Sequence, residues 1–383
     1  MPNPDPPRVR HVLGCMTGTS LDGLDAVLTR IIGTGLEMTA DYIGSATAAL
    51  PDRLRSALLA LAQGQPMPPL EIMRTARHLG VLHAEACRDL IQSYAPERPL
   101  DFVVAHGQTV WHAPADRLSW QLFDPWPIVR ALGLPVCYDL RQADLIADGE
   151  GAPLTPLADW VLYREHADAV INLGGISNHT LLHPDPTQIR GGDGGPCNLL
   201  LDGLCQDYFG EPYDRDGRHA LRGKPAAKVA AFLHDAIDEI RRSGSLGREQ
   251  FSAAWLRRIA DQCRVWAGPE DVLATAAAVV ARYAAGPPSS SEPRRWVVAG
   301  GGAHHPLVLE NLRILTKTEL KRSDDLGIPC EAREAMGFAV LGALSADGVA
   351  VSLPQVTGSH QPGVAGSWAY PPPSGATALR PRV

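Results

Sequence analysis

Residues 14–28, GCMTGTSLDGLDAVL, place glycines at 14, 18 and 23, hydroxyls at 17, 19 and 20, and aspartates at 22 and 25 between two short apolar arms. Arms of this length, bounded by turn residues, predict a strand, a turn and a second strand. Glycine lets a ligand approach the main chain closely, and successive N–H groups in such a turn converge on an anion. Phosphate is the natural guest. Thr17, Gly18, Thr19 and Ser20 would supply donors, and Asp22 would hold Mg²⁺ through waters. The competing reading is a tight turn whose aspartate bonds its own backbone.

The same plan recurs at 168–183, DAVINLGGISNHTLLH, where Gly174 and Gly175 sit between two apolar arms. A third stretch, 295–315, RWVVAGGGAHHPLVLENLRIL, differs. It reads as a strand, then Gly300, Gly301 and Gly302, then a helix with Pro306 in its first turn. Between these lie LRSALLALAQ, MRTARHLGVLHAEACRDLIQSY and PAAKVAAFLHDAIDEIRRS, each with apolar residues at helical spacing. Strands alternating with helices predict an α/β architecture. Residues 216–226, DGRHALRGKPA, contain a Gly-Lys pair, but Arg218 stands where a P-loop needs glycine and Pro225 where it needs Ser or Thr. Residues 284–296 and 370–383, rich in Pro and Ser or Pro alone, read as a connector and an exposed tail.

A chain of 383 residues exceeds the usual single core and predicts two domains with a cleft between them. Its formal charge of −7 argues against a nonspecific nucleic-acid or anionic-membrane surface and for small-molecule chemistry. Seven scattered cysteines without a CxxC suggest neither a disulfide framework nor a zinc ribbon, as suits a reducing cytosol. With no signal-like or spanning apolar run, a cytoplasmic protein is expected.

Two phosphate-cradling hairpins facing each other across a cleft, with a later strand–GGG–helix near the nucleotide, describe an ATP site of the actin, sugar-kinase and Hsp70 type. A dinucleotide fold is the weaker fit, because GGGAHH lacks the third glycine of GxGxxG. Eight segments in order resemble one family, the anhydro-N-acetylmuramic acid kinases of bacterial cell-wall recycling: MTGTSLDGLD, AHGQTVWH, GEGAPLTPLAD, NLGGISN, GDGGPCN, VVAGGGAHHP, EAMGFAVLGAL and LPQVTGS. The resemblance implies a two-domain actin-like ATPase (duplicated ribonuclease H-like) fold with an interdomain ATP/sugar cleft, homodimers, Mg²⁺ and ATP. It implies opening of a 1,6-anhydro sugar coupled to phosphorylation at O6. One unit is expected over 1–137 plus about 366–383, and the other over 138–365.

In the resembled family the aspartate matching Asp193, here between glycines and expected to be open to water and sugar, is the base that activates water. Glu334 matches a glutamate that reaches the substrate. Its alternative is a solvated carboxylate favoured by a helix N-terminus. His106, Gln108, Thr109 and His112 fall at the polar end of an apolar strand, where α/β sheets place ligand contacts. Arg141 could take a lactyl carboxylate bidentately, or pair with Asp144 at the surface. The ATP contacts are then expected from Gly18, Thr19, Ser20, Leu21, Asp22, Gly23, Leu24, Asp25, Gly174, Gly175 and Gly300–Gly302, with Asp22 on the metal side. His304 and His305 read as helix-entry residues. Two positions depart from the family pattern: Gly194 for a usual threonine, and Glu150 for a usual glutamine. Rival readings are an ordinary hexosamine kinase of this fold, in which Asp193 deprotonates a sugar hydroxyl, and an ATP-dependent binding switch without a sugar.

Overall fold

The computed structural model describes residues 6–18, 21, 23–94, 96, 99–242, 246, 250–286 and 295–372. The opening segment forms the expected hairpin, with β1 (Val9–Thr17) antiparallel to β2 (Gly23–Ile32). Antiparallel β3 (Thr39–Ala49) extends it. Two helices, Asp52–Ala62 and Pro69–Tyr94, then carry the chain back so that β4 (Phe102–Ala105) lies parallel to β1, a crossover that a tight turn cannot make. A small hairpin of β5 (Gln108–Ala113) and β6 (Leu118–Leu122) stands apart as its own two-stranded sheet. β7 (Val136–Tyr138) is parallel to β4.

The second half repeats this order. β8 (Ala169–Leu173), β9 (Ile176–Leu181) and β10 (Arg190–Pro196) form an antiparallel meander. β11 (Arg295–Ala299) and β12 (Glu319–Arg322) then add in parallel on the β8 side. β13 (Ser367–Ala369) returns to the first sheet beside β7. The sheets thus run β13-β7-β4-β1-β2-β3 and β10-β9-β8-β11-β12. Apart from the added β13, both have the third, second and first strands of a meander followed by two parallel strands, which is the duplicated ribonuclease H-like plan of actin-like ATPases.

What joins the halves is the helix Arg333–Ala346, apolar on nearly every face and therefore buried along most of its length. Phe338 and Leu341 pack with Val12 and Val104 of the first sheet, while Met336 and Ala335 pack with Val170 and Val297 of the second and with Val27. The helix Pro156–Tyr163 lies in the same layer, contributing Leu157 and Trp160 to one core and Tyr163 to the other. β1 reaches this helix only because residue 14 is glycine. A Cβ there would lie 2.9 Å from the Ala335 carbonyl carbon and 2.9 Å from the Ala339 nitrogen. The seam is locked by a buried ion pair in which Arg333 donates through Nε to Asp159 Oδ1 at 2.8 Å and through Nη2 to Oδ2, while Thr180 Oγ1 donates to the same carboxylate at 2.7 Å.

Candidate active site

The first glycine turn is held by its flanks. Thr17 Oγ1 donates to the Gly107 carbonyl at 2.8 Å, tying the end of β1 to the loop that carries His106. Leu21 adopts φ +57° and buries its side chain with Leu50 and Leu54, and Leu24 is buried in the adjoining core. These two leucines anchor the turn, so only their main chain can face a phosphate. Asp25 accepts a bond from Thr47 Oγ1 at 2.7 Å across β2 and β3. Gly18 and Gly23 bracket the turn, while Thr19, Ser20 and Asp22 lie outside the described residues.

The second and third turns meet at the carboxyl ends of neighbouring β8 and β11. The Gly174 and Gly175 carbonyls accept from the Asn198 and Cys197 amides at 3.1 and 2.9 Å, seating the turn on the start of the helix Asn198–Phe209. Gly300, at φ +82°, presses against β8, where a Cβ would come within 2.8 Å of the Leu173 carbonyl. Gly302 approaches Asn198 Oδ1 and Leu173 equally closely. Pro306 opens the helix Pro306–Thr316, and His305 caps it by accepting from the Val308 amide at 3.4 Å. His304 instead contacts Glu331 at 2.7 Å.

Arg141 is the basic centre of the site. Its Nε and Nη2 point at His106 Nε2 at 3.2 and 2.9 Å, and Nη1 donates to the Gly151 carbonyl at 2.6 Å. His106 Nδ1 contacts the Gly107 carbonyl at 2.8 Å, so the ring is neutral, with Nδ1 carrying the proton and Nε2 accepting. Burial and the neighbouring guanidinium push His106 down to about 3. Burial lowers Arg141 itself to about 10, against the pull of Asp193, Glu334, Asp144 and Asp139. The three bonds leave one N–H on each Nη, enough for an end-on carboxylate. Asp144 does not pair with Arg141. Its buried carboxylate takes the Gly151 amide at 2.7 Å and Thr357 Oγ1 at 2.6 Å, closing the loop that presents the Gly151 carbonyl.

Asp193 on β10 and Glu334 on the central helix both act on Arg141 through their charges. Asp193, on β10, is less open than glycine neighbours suggest: it is half-buried and accepts from the Leu246 amide at 2.9 Å. Burial raises its carboxyl above the ordinary value, opposed by that amide, Arg141 and Arg241. Glu334 starts the central helix, as expected, but is half-buried rather than solvated, and takes the Asn172 Nδ2 donor at 3.3 Å. Burial raises it too, with Asp159 adding to the rise and Arg333 and Arg141 opposing it. Two carboxyls held above their usual range beside a fixed cation are what general acid–base chemistry needs.

Gln108 is buried and its Oε1 has no partner among the described residues, while Thr109 accepts from Gln121 Nε2 at 3.3 Å. His112 contacts Ser119 Oγ at 3.0 Å on the β5–β6 hairpin and is lowered to about 4, chiefly by burial. The departures have structural settings. A Cβ on Gly194 would lie 2.5 Å from Ser177 Oγ and 2.7 Å from the Tyr283 carbonyl, so its missing side chain leaves no gap. Glu150 is exposed and lines a cavity of about 110 Å³ with Asp193, Arg241 and Leu246. Asn172, Arg241 and the Leu246 amide were not singled out from sequence, and Asp144 only as a partner for Arg141. Asn172 Oδ1, buried and without a partner among the described residues, lies against Gly300, and with the close-packed glycine main chain it fits a nucleotide's polar groups.

A duplicated actin-like fold with a glycine turn opening each half, and a basic centre beside half-buried carboxylates, is the architecture of an ATP-dependent phosphotransferase. The model of the anhydro-N-acetylmuramic acid kinase family matches residues 10–371. The chain is 36% identical over 371 residues to the anhydro-N-acetylmuramic acid kinase of Bordetella avium, covering 95% of this chain and 97% of that one. It is 34% identical to the enzyme of that name from Salinibacter ruber over 95% and 97% of the two chains. For the one from Xanthomonas axonopodis pv. citri the identity is 35%, over 93% and 96%. The chain belongs to the anhydro-N-acetylmuramic acid kinase family.

Proposed function

We propose that the protein converts 1,6-anhydro-N-acetylmuramate, water and ATP to N-acetylmuramate 6-phosphate and ADP. The observation that carries this reading is Arg141, bonded to His106 and the Gly151 carbonyl and acted on by the charges of both Asp193 and Glu334. Asp193 takes a proton from water as the water oxygen bonds to C1. The C1–O6 bond breaks, and O6 attacks the γ-phosphorus, releasing ADP. A carboxyl raised by burial is a stronger base than a solvated one. Glu334 orients the sugar, and the two remaining Arg141 N–H groups hold its lactyl carboxylate. His106, Gln108 and Thr109 supply the neutral acceptors and donors for hydroxyls and the acetamide. The backbone of Gly18, Gly23, Gly174 and Gly175 cradles the phosphates, and Gly300–Gly302 pass beside the adenosine. Asp22 is assigned to Mg²⁺, which when bound neutralises phosphate charge.

Among the described residues no helix is long and apolar enough to cross a membrane. We assign the protein to the cytoplasm and to a homodimer. The test is Asp193→Asn, with ADP release and ATP binding measured together. Turnover lost with ATP affinity within about twofold of wild type is expected; retained turnover removes Asp193 from the base role.

A further inference from the structure

Asp193 can act as a base only if its carboxylate is aimed, and the strand that carries it is broken at that point. The β10–β9 register shifts between Asp193 and Gly195, leaving Gly194 outside the ladder. A carbonyl expelled from a ladder needs a donor. It finds one in Arg241 Nη1, at the end of the helix Ala227–Arg241. The guanidinium lies over the Tyr283 ring, 5.2 Å from its centroid, and Tyr283 is fixed by donating its hydroxyl to Asp238 at 2.7 Å. Ser177 Oγ and the Tyr283 carbonyl fill the space at the Gly194 α-carbon, so the bulge is wedged as well as bonded. Further along the chain from Arg241, the Leu246 amide donates to the Asp193 carboxylate.

We infer that Arg241 is a positioning residue for Asp193, holding the bulge through the Gly194 carbonyl while the Leu246 amide bonds the carboxylate itself. The inference rests on the reading of Asp193 as the base. Arg241 also acts through its charge. The charged groups that act on Asp193 or share its cavity are Arg141 ahead of the short helix Gln142–Leu145, Arg241, and Glu150 across the cavity, with Glu334 beyond Arg141 and His179 on β9 beside Arg241. Of these, Arg141 and Arg241 favour the ionised carboxylate against its burial, and Arg141 is already committed to His106 and Gly151. Losing Arg241 therefore frees the bulge and raises the Asp193 carboxyl further.

The experiment compares wild type, Arg241→Met and Arg241→Lys by ¹³C NMR titration of carboxyl-labelled aspartate, with the Asp193 signal identified by its loss in Asp193→Asn, alongside pH profiles of kcat. In Arg241→Met the Asp193 midpoint and the acid limb of kcat should both move up by about one unit, with kcat at least about tenfold lower and KM for ATP within about twofold. Arg241→Lys should keep the midpoint near wild type and regain part of kcat. An unmoved Asp193 midpoint in Arg241→Met, or equal behaviour of the two variants, overturns the inference. The titration needs no turnover, so it decides the role of Arg241 even if the sugar assignment fails.

Discussion

Replacing Gly14 by alanine tests whether the seat of β1 on the central helix positions the chemistry. The new methyl would sit 2.9 Å from both the Ala335 carbonyl carbon and the Ala339 nitrogen, and closer still to the Ala335 oxygen. These are backbone atoms of a buried helix, so no side chain can rotate away. Relief requires strand and helix to separate by about 1 Å, an overpacking that typically costs about 1–3 kcal/mol. The displacement is not remote. Ala335 follows Glu334, and β1 ends at Thr17, which holds the His106 loop. A misplacement of about 1 Å between reacting groups can cost about 10²-fold in rate. Gly14→Ala should therefore lower the denaturation midpoint and reduce kcat by one to two orders of magnitude. The assay pairs urea unfolding with steady-state ADP release at saturating ATP. A variant with wild-type midpoint and kcat within twofold would refute the idea that this contact sets the register of the site.

Three further outcomes follow from the same geometry. Arg333→Met strands the buried Asp159 carboxylate and should destabilise by about 3–5 kcal/mol, whereas Arg333→Met with Asp159→Leu should recover most of that in urea unfolding. His83, His106, His112 and His179 are pushed by burial from 6.5 to about 4, 3, 4 and 4. Their unfolded forms bind protons first, so stability should fall as pH drops below about 6.5, a loss lessened in His106→Gln; the raised Asp193 and Glu334 act with the opposite sign. Gly194→Thr, which installs the residue expected from the family pattern, should reduce both stability and kcat in melting and turnover assays, because Ser177 and Tyr283 occupy the site of its Cβ.

The three glycine turns were legible because short apolar arms, turn residues and Pro306 are local signals, and each formed the predicted element. The repeated strand order follows from those arms plus the helical stretches between them. What escaped was contact between distant segments. Arg141 was offered Asp144, three residues away, but the fold gives it His106, while Asp144 turns to Gly151 and Thr357. Glycines flanking Asp193 suggested an open carboxylate, yet the Leu246 amide bonds it and Arg241 bonds the neighbouring Gly194 carbonyl, from positions some fifty residues away in sequence. Nothing local marks Arg241, since a helix-terminal arginine is ordinary, and its role depends on a bulge that periodicity does not encode. Gly14 likewise packs against a helix more than three hundred residues away, a contact that no local pattern encodes.

The measurement closest to the central claim is a reaction of the protein with Mg²⁺, ATP and 1,6-anhydro-N-acetylmuramate in ¹⁸O-labelled water, with N-acetylglucosamine in parallel and the products read by mass spectrometry. The account predicts a ring-opened sugar carrying both one phosphate and one labelled oxygen, formed only from the anhydro sugar. A phosphorylated hexosamine without label, or ATP consumption indifferent to the anhydro sugar, would contradict it.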